Sequence, residues 1–252
     1  MKLLLKIAFL GTHYNGYQVQ PGLPTVQQSL NDAARRIFGY ECDIVGCSRT
    51  DSGVHANAFF ASVSKKGENH LESTVPIASV PVAFNSVLPD DISVIDAKEV
   101  EDSFHTRYDV KYKEYVYKIY NAPLKDPFLS DRAYHVPRRI SDEMLAKMNE
   151  AAQFFVGRHD FSAYMAQGSK IVDTNRCVKY ASVEREGDMI TFRVAADGFL
   201  YNMVRIMCGT LLLVGQGKIE PCEIGDITES RDRSRAGMTV PAHGLYLNKV
   251  EY

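Results

Sequence analysis

The sequence predicts an α+β fold, and three observations carry that prediction. Strand-like runs, apolar or alternating, recur from Met1–Leu10 to the last residues before Tyr252. Two strong helical patterns interrupt them, one starting at Thr25 and one at Ser141, so each half reads strand, helix, strand. No segment repeats at a fixed period, which excludes a solenoid. Strands and helices in this order suit helices laid on one face of a sheet.

A chain of 252 residues is long enough for one large domain or two halves of ordinary size. Its 45% hydrophobic and 24% charged residues are those of a soluble globular protein. It has no basic segment leading into an apolar one, and no apolar run of bilayer-spanning length. The expectation is a cytoplasmic protein with no membrane partner. Five cysteines, an odd number with no C-x-x-C pair, argue for reduced thiols and against a disulfide framework or a zinc cluster. A net charge of −2 counts against indiscriminate coating of nucleic acid but leaves room for a local basic groove.

Taken in order, Met1–Leu10 is a mostly apolar strand, followed by a loop, Gly11–Gln20, rich in glycine, tyrosine and amides that could lie against bases or sugars. Thr25 and Gln28 have capping-box spacing, Val26, Leu30, Ala33, Ala34 and Ile37 share one face, and Gly39 stops the helix. A strand through Ile44 and Val45 leads into the polar loop Gly46–Ala56, and Ala58–Val63 is the strand beyond it. After a polar connection over 65–74 come a short helix at 77–87 and a strand at 92–98, and Phe104–Tyr108 closes the first half.

The second half opens with period-2 alternation over Lys111–Tyr120, which puts Tyr115 and Tyr117 on one face. The helix from Ser141 has Asp142 and Glu143 in its first turn, and Met144, Leu145, Met148, Ala152 and Phe155 along its core side, with Gly157 as its stop. A loop through Lys170 precedes two strands, 178–185 and 189–195, and a helix from about 203 to 214 follows. Arg205 stands among apolar neighbours there, and a buried arginine needs an anionic partner.

Locally, Asp51 reads as a turn aspartate satisfying backbone amides. The wording of its loop says more. Gly46-Cys47-Ser48-Arg49-Thr50-Asp51-Ser52-Gly53-Val54-His55-Ala56 resembles the G-R-T-D-A-G-V-H-A motif of the TruA family of tRNA pseudouridine synthases, with Ser48 and Ser52 where glycine and alanine are usual. Gly11–Gln20 resembles that family's first motif, with Leu10 and Tyr17 as departures. Phe104-His105-Thr106-Arg107-Tyr108 resembles F-H-A-R-[FY]. Tyr115–Asn121 resembles Y-x-Y-x-[IV]-x-N, His159–Ser162 contains D-F-[ST], Phe199–Arg205 resembles F-L-x-x-M-V-R, and Gly244–Leu247 is the closing G-L-Y-L. At 173–177 the match to the family's R-T-I is loose, which leaves Arg176 without a role.

The resemblance covers the whole chain and implies the pseudouridine synthase fold. That fold has two RRM-like, ferredoxin-like halves, here 1–105 and 106–252, sharing a central mixed, mostly antiparallel sheet with a cleft between them. It implies an isomerase acting on uridines 38 to 40 of the tRNA anticodon stem-loop, working as a homodimer without cofactor or metal. Asp51 would be the catalytic residue and Arg205 its basic partner. Tyr115 would cover the uracil and serve as a candidate base, and Arg49, His55, His105 and Arg107 would contact substrate. The route, covalent at C1′ or at C6, stays open. Rival readings are a related synthase with another target position, a non-catalytic RNA-binding module, and a metal-assisted nuclease or deaminase. The last lacks the H-x-E…P-C-x-x-C ligands it would need.

Overall fold

The hydrophobic pattern becomes ten strands and five α-helices in a computed structural model describing residues 1–169 and 171–252. The loop expected to run through Lys170 thus ends on a residue outside those described. The chain divides into a first unit, Met1–Lys111 with Tyr246–Tyr252, and a second, Tyr112–Leu245.

In the first unit β1 (Lys2–Phe9) buries Leu3, Leu4, Leu5, Ile7 and Phe9. Helix α1 (Val26–Phe38) forms where its capping signals place it. The Thr25 hydroxyl accepts from the Gln28 amide at 3.3 Å, and Gly39, at φ +78°, ends it in the left-handed region that glycine adopts without strain. Then come β2 (Cys42–Gly46), β3 (His55–Lys65), α2 (Val80–Asn85) with Pro81 in its first turn, and β4 (Ile92–Val100). Helix α1 packs on β2 and α2 on β4. The order β-α-β-β-α-β, with β4, β1, β3 and β2 as antiparallel neighbours, is the ferredoxin-like arrangement.

Strand β3 is long enough to have two partners on its other side. Its far end, Ala61–Lys65, pairs with β2. Its near end, His55 and Ala56, pairs in parallel with Tyr246 and Leu247 of β10 (Leu245–Glu251). This last strand explains why the division of the chain differs from a simple cut at 105/106: its buried Tyr246 and Leu247 belong to the first unit's sheet.

The second unit holds β5 (Tyr112–Tyr120), β6 (Tyr134–His135), α3 (Asp142–Gln153), β7 (Gly157–Asp160), β8 (Asn175–Glu186), β9 (Met189–Ala196), α4 (Met203–Gly215) and α5 (Glu223–Ser230). β6 is parallel to β5, and β5, β9, β8 and β7 follow as antiparallel neighbours. Helix α3 packs on β8 and on α4. Helix α4 is apolar on nearly all sides and correspondingly buried. Both units therefore show the expected α+β class, with mixed and mostly antiparallel sheets.

Two details differ from the pattern read in the sequence. Helix α3 stops at Phe154 in right-handed geometry, and Gly157, at φ +114°, opens β7 instead of capping the helix. Helix α5 was not expected; its N-cap residue, Cys222, makes no side-chain cap. Tertiary contacts also hold it: the buried Tyr164 hydroxyl lies 3.3 Å from the Thr228 hydroxyl and 3.4 Å from the Ile224 carbonyl.

Candidate active site

The loop between β2 and β3 carries Asp51, half-buried, with Arg49 exposed beside it. Its backbone is locked to the Gly11–Gln20 loop. The Gly53 amide and the Ser52 hydroxyl both donate to the Tyr14 carbonyl, at 3.3 and 3.2 Å, and the Tyr17 amide donates to the Thr50 carbonyl at 3.2 Å. The loops lie so close that only glycine fits at two points. A Cβ on Gly11 would collide with the Val54 carbonyl, and one on Gly16, at φ +83°, with the Thr50 carbonyl. Asp91 ties the same loop from the other side, accepting from the Tyr14 hydroxyl at 2.5 Å, while its carbonyl accepts from the Leu10 amide at 2.9 Å.

Ser48 escapes the strain that a positive φ would have imposed: among the described residues only Asn202 and Arg231 are non-glycines there. Tyr17 is 3% exposed, its ring stacked on Phe59 at 4.3 Å. Burial pushes its phenol well above the ordinary value, with Cys47 adding to the rise and Arg107 opposing it.

His55 has no exposed surface, and its Nδ1 accepts from the Gly11 amide at 2.9 Å. The resemblance implies a substrate contact for it, but this geometry presents it to the protein interior. His105 is half-buried and folds its own segment, with Nδ1 accepting from the amides of Arg107 and Tyr108 at 3.1 and 3.2 Å. The Asp109 carboxylate accepts from the His105 amide at 2.8 Å, and the result is that Arg107 and Tyr108 project into solvent.

In the second unit Tyr115 lies on β5 opposite Val194, with 6% of its surface exposed, and meets Phe199 edge to face at 5.0 Å. Tyr117 is fully buried and donates its hydroxyl to the Pro241 carbonyl at 2.7 Å. Of two tyrosines on one face, the packing thus commits Tyr117 to structure. Arg205 leaves the first turn of α4 with Nε donating to the Val240 carbonyl at 2.7 Å and Nη1 to the Asn202 side-chain oxygen at 2.6 Å. Asn202, at φ +60°, holds the helix start in a conformation asparagine tolerates better than most residues. His243 is held below the ordinary histidine value mainly by burial, with Arg205 adding to that and Asp131 opposing it.

Asn202, Phe199 and Tyr14 were not anticipated as parts of these arrangements. All three lie inside the motif-like segments Gly11–Gln20 and Phe199–Arg205, which is the signal that could have found them. Among the described residues no three His, Cys, Asp or Glu side chains converge as a metal site, and no helix is long and apolar enough to cross a membrane.

A family model described as tRNA pseudouridine synthase matches residues 6–109 and 151–252. The chain belongs to that family. Among curated tRNA pseudouridine synthase A proteins, that of Thermoanaerobacter sp. (strain X514) is 42% identical over 250 residues, covering 99% of each chain. The Acetivibrio thermocellus protein is 44% identical over 248 residues, 98% of each, and the Bacillus pumilus protein 41% over 257 residues, 100% of this chain and 99% of that one. A solved structure, "Crystal Structure of a Cbf5-Nop10-Gar1 Complex", aligns at a TM-score of 0.39 with 14% identity, over 97% of this chain and 48% of that one, a likeness too loose to carry weight. The synthase match takes in Asp51, Arg49, His55, His105, Arg107 and Arg205, whereas Tyr115 falls between its two segments. Membership makes this chain an isomerase of the pseudouridine synthase type.

Proposed function

We propose that this chain converts uridine to pseudouridine in the anticodon stem-loop of tRNA, at positions 38 to 40, with Asp51 as its essential carboxylate. The observation that carries this reading is end-to-end similarity to tRNA pseudouridine synthase A proteins, the Asp51 loop included. In this reaction the N1–C1′ bond breaks, the uracil turns, C5 bonds to C1′, C5 loses its proton and N1 gains one. No electrons or groups are exchanged with a donor.

Asp51 attacks as the carboxylate, and Arg205 supplies the positive charge of the reaction, as the resemblance implies. Arg49, exposed beside the loop, holds phosphate and fills the space of the flipped nucleotide. Tyr115 covers the uracil face, and its hydroxyl takes the C5 proton after rotation. The exposed Arg107, projected by the His105 fold, meets the RNA backbone. Two copies of the chain act together on one tRNA, as the resemblance implies.

The test is pseudouridine mapping in tRNA incubated with wild type or with Asp51→Asn. Wild type should modify the stem-loop positions, and Asp51→Asn should bind tRNA and modify nothing. Turnover by Asp51→Asn would remove Asp51 from its role, and modification elsewhere in the tRNA would replace the target.

A further inference from the structure

The motif residue His55 is buried, aromatic and titratable, and the reaction above gives it no work. Its surroundings do. The first residue after the Asp51 loop, it opens β3 in the parallel ladder with Tyr246. Its ring packs on the Tyr246 ring at 4.7 Å, so the imidazole is fixed by a strand on one side. On the other it accepts the Gly11 amide, the first N–H of the loop that cradles Asp51.

We propose that His55 is a positioning residue, which sets the rate of the reaction by pinning the Gly11–Gln20 loop against the Asp51 loop. This rests on the reaction proposed above. Three further bonds between the loops, from Gly53 and Ser52 to Tyr14 and from Tyr17 to Thr50, are made by groups of the loops themselves. The bond to Gly11 starts instead from a side chain anchored in the sheet. An acceptor at Nδ1 requires that nitrogen to be unprotonated, so the hydrogen of the neutral ring sits on Nε2. The Val54 carbonyl fills the space that a side chain on Gly11 would need, so the two loops meet there at close range. Losing the acceptor therefore frees the loop's first residue and with it the register of Tyr14, Thr50 and Asp51. Displacement of a reacting group by about 1 Å costs up to about a hundredfold in rate while barely touching affinity.

Asparagine and glutamine separate the acceptor from everything else about the ring. The Asn oxygen reaches the place of Nδ1, whereas the Gln oxygen reaches that of Nε2. His55→Gln and His55→Phe should lower kcat for pseudouridine formation by at least about tenfold, with KM for tRNA within about twofold, and His55→Asn should recover most of the loss. Deuterium exchange over 10–20 should speed up in the Gln and Phe variants and return toward wild type in Asn. That readout needs no turnover, so a wild type that formed no pseudouridine would sink the proposed reaction while still reporting on the His55–Gly11 bond. Should His55→Phe fail to fold, the Asn and Gln pair decides. Wild-type kcat in His55→Gln, equal losses in Asn and Gln, or a rise in KM at unchanged kcat would each overturn the assignment. The last would make His55 an RNA contact instead.

Discussion

Ser52 donates its hydroxyl to the Tyr14 carbonyl, the same oxygen that accepts the Gly53 amide. The residue that departs from the usual alanine thus adds a bond between two loops already held together by backbone. One neutral hydrogen bond contributes about 0.5–1.5 kcal/mol net. Ser52→Ala should cost no more than about 1 kcal/mol in urea unfolding and leave turnover within about twofold. A tenfold drop in turnover would show that this bond shapes the site.

Tyr17 carries a buried hydroxyl with no hydrogen-bond partner among the described residues, at a position where the family resemblance expects phenylalanine or tryptophan. Leaving a polar group buried and unpaired costs about 1–3 kcal/mol. Tyr17→Phe should therefore raise the urea midpoint, by about 1 kcal/mol in stability, with the stacking on Phe59 intact. A lowered midpoint would mean that the hydroxyl stabilises the fold.

Asp160 accepts from the Thr174 hydroxyl at 2.6 Å and the Ser162 amide at 3.0 Å, and pairs with Arg231 at 3.2 Å. Burial by itself would raise its pKa, but these bonds and the arginine outweigh it and hold the group below the ordinary 3.8. A carboxyl depressed on folding stabilises the protein above its unfolded pKa, and that contribution disappears as pH falls through the folded value. Wild type should lose stability below about pH 4 more steeply than Asp160→Asn. At pH 7 the variant should be about 1–3 kcal/mol less stable. Parallel acid-unfolding curves for the two would refute this.

Tyr115 is open to a separation of stacking from proton transfer. Base–aromatic stacking is worth roughly 1–3 kcal/mol, so Tyr115→Leu should weaken productive tRNA binding noticeably. Tyr115→Phe should bind nearly normally and stall after glycosidic cleavage. Tritium release from C5-labelled tRNA in a single turnover reads the step, and a wild-type rate in Tyr115→Phe would leave the residue a stacking role only.

Chelation should leave activity on folded tRNA unchanged, since the reaction as proposed passes through side chains alone. A loss restored by divalent metal, with tRNA folding constant, would contradict that mechanism.

Much of the fold was legible because its signals are local. The Thr25 cap, the Gly39 stop and the alternation of 112–120 each dictate geometry within a few residues, and the structure has all three. Helix α5 was harder to read, since Cys222 makes no side-chain cap and the Tyr164 hydroxyl that meets Ile224 lies 60 positions back in the chain. At the site, the motif identified Asp51 and His55 together, yet sequence could not distinguish a histidine facing RNA from one facing the protein. That distinction depends on Gly11 and Tyr246, which are 44 and 191 positions away in the chain. Likewise Tyr115 and Tyr117 are equivalent in the alternation, and only Pro241, far along the chain, claims one of them.

The two-partner edge of β3 also bears on how the protein is made. Synthesis delivers the Asp51 loop early, but the strand beside its outgoing end comes late: Asn57 and Asn248, joined side chain to side chain at 2.8 Å, are 191 residues apart. A nascent chain can complete β1 to β4 on the ribosome and still lack the ladder at His55 and Ala56. The loop that carries Asp51 therefore reaches its final anchoring only once residues 246 and 247, 191 positions beyond their partners in the chain, are free to pair with His55 and Ala56.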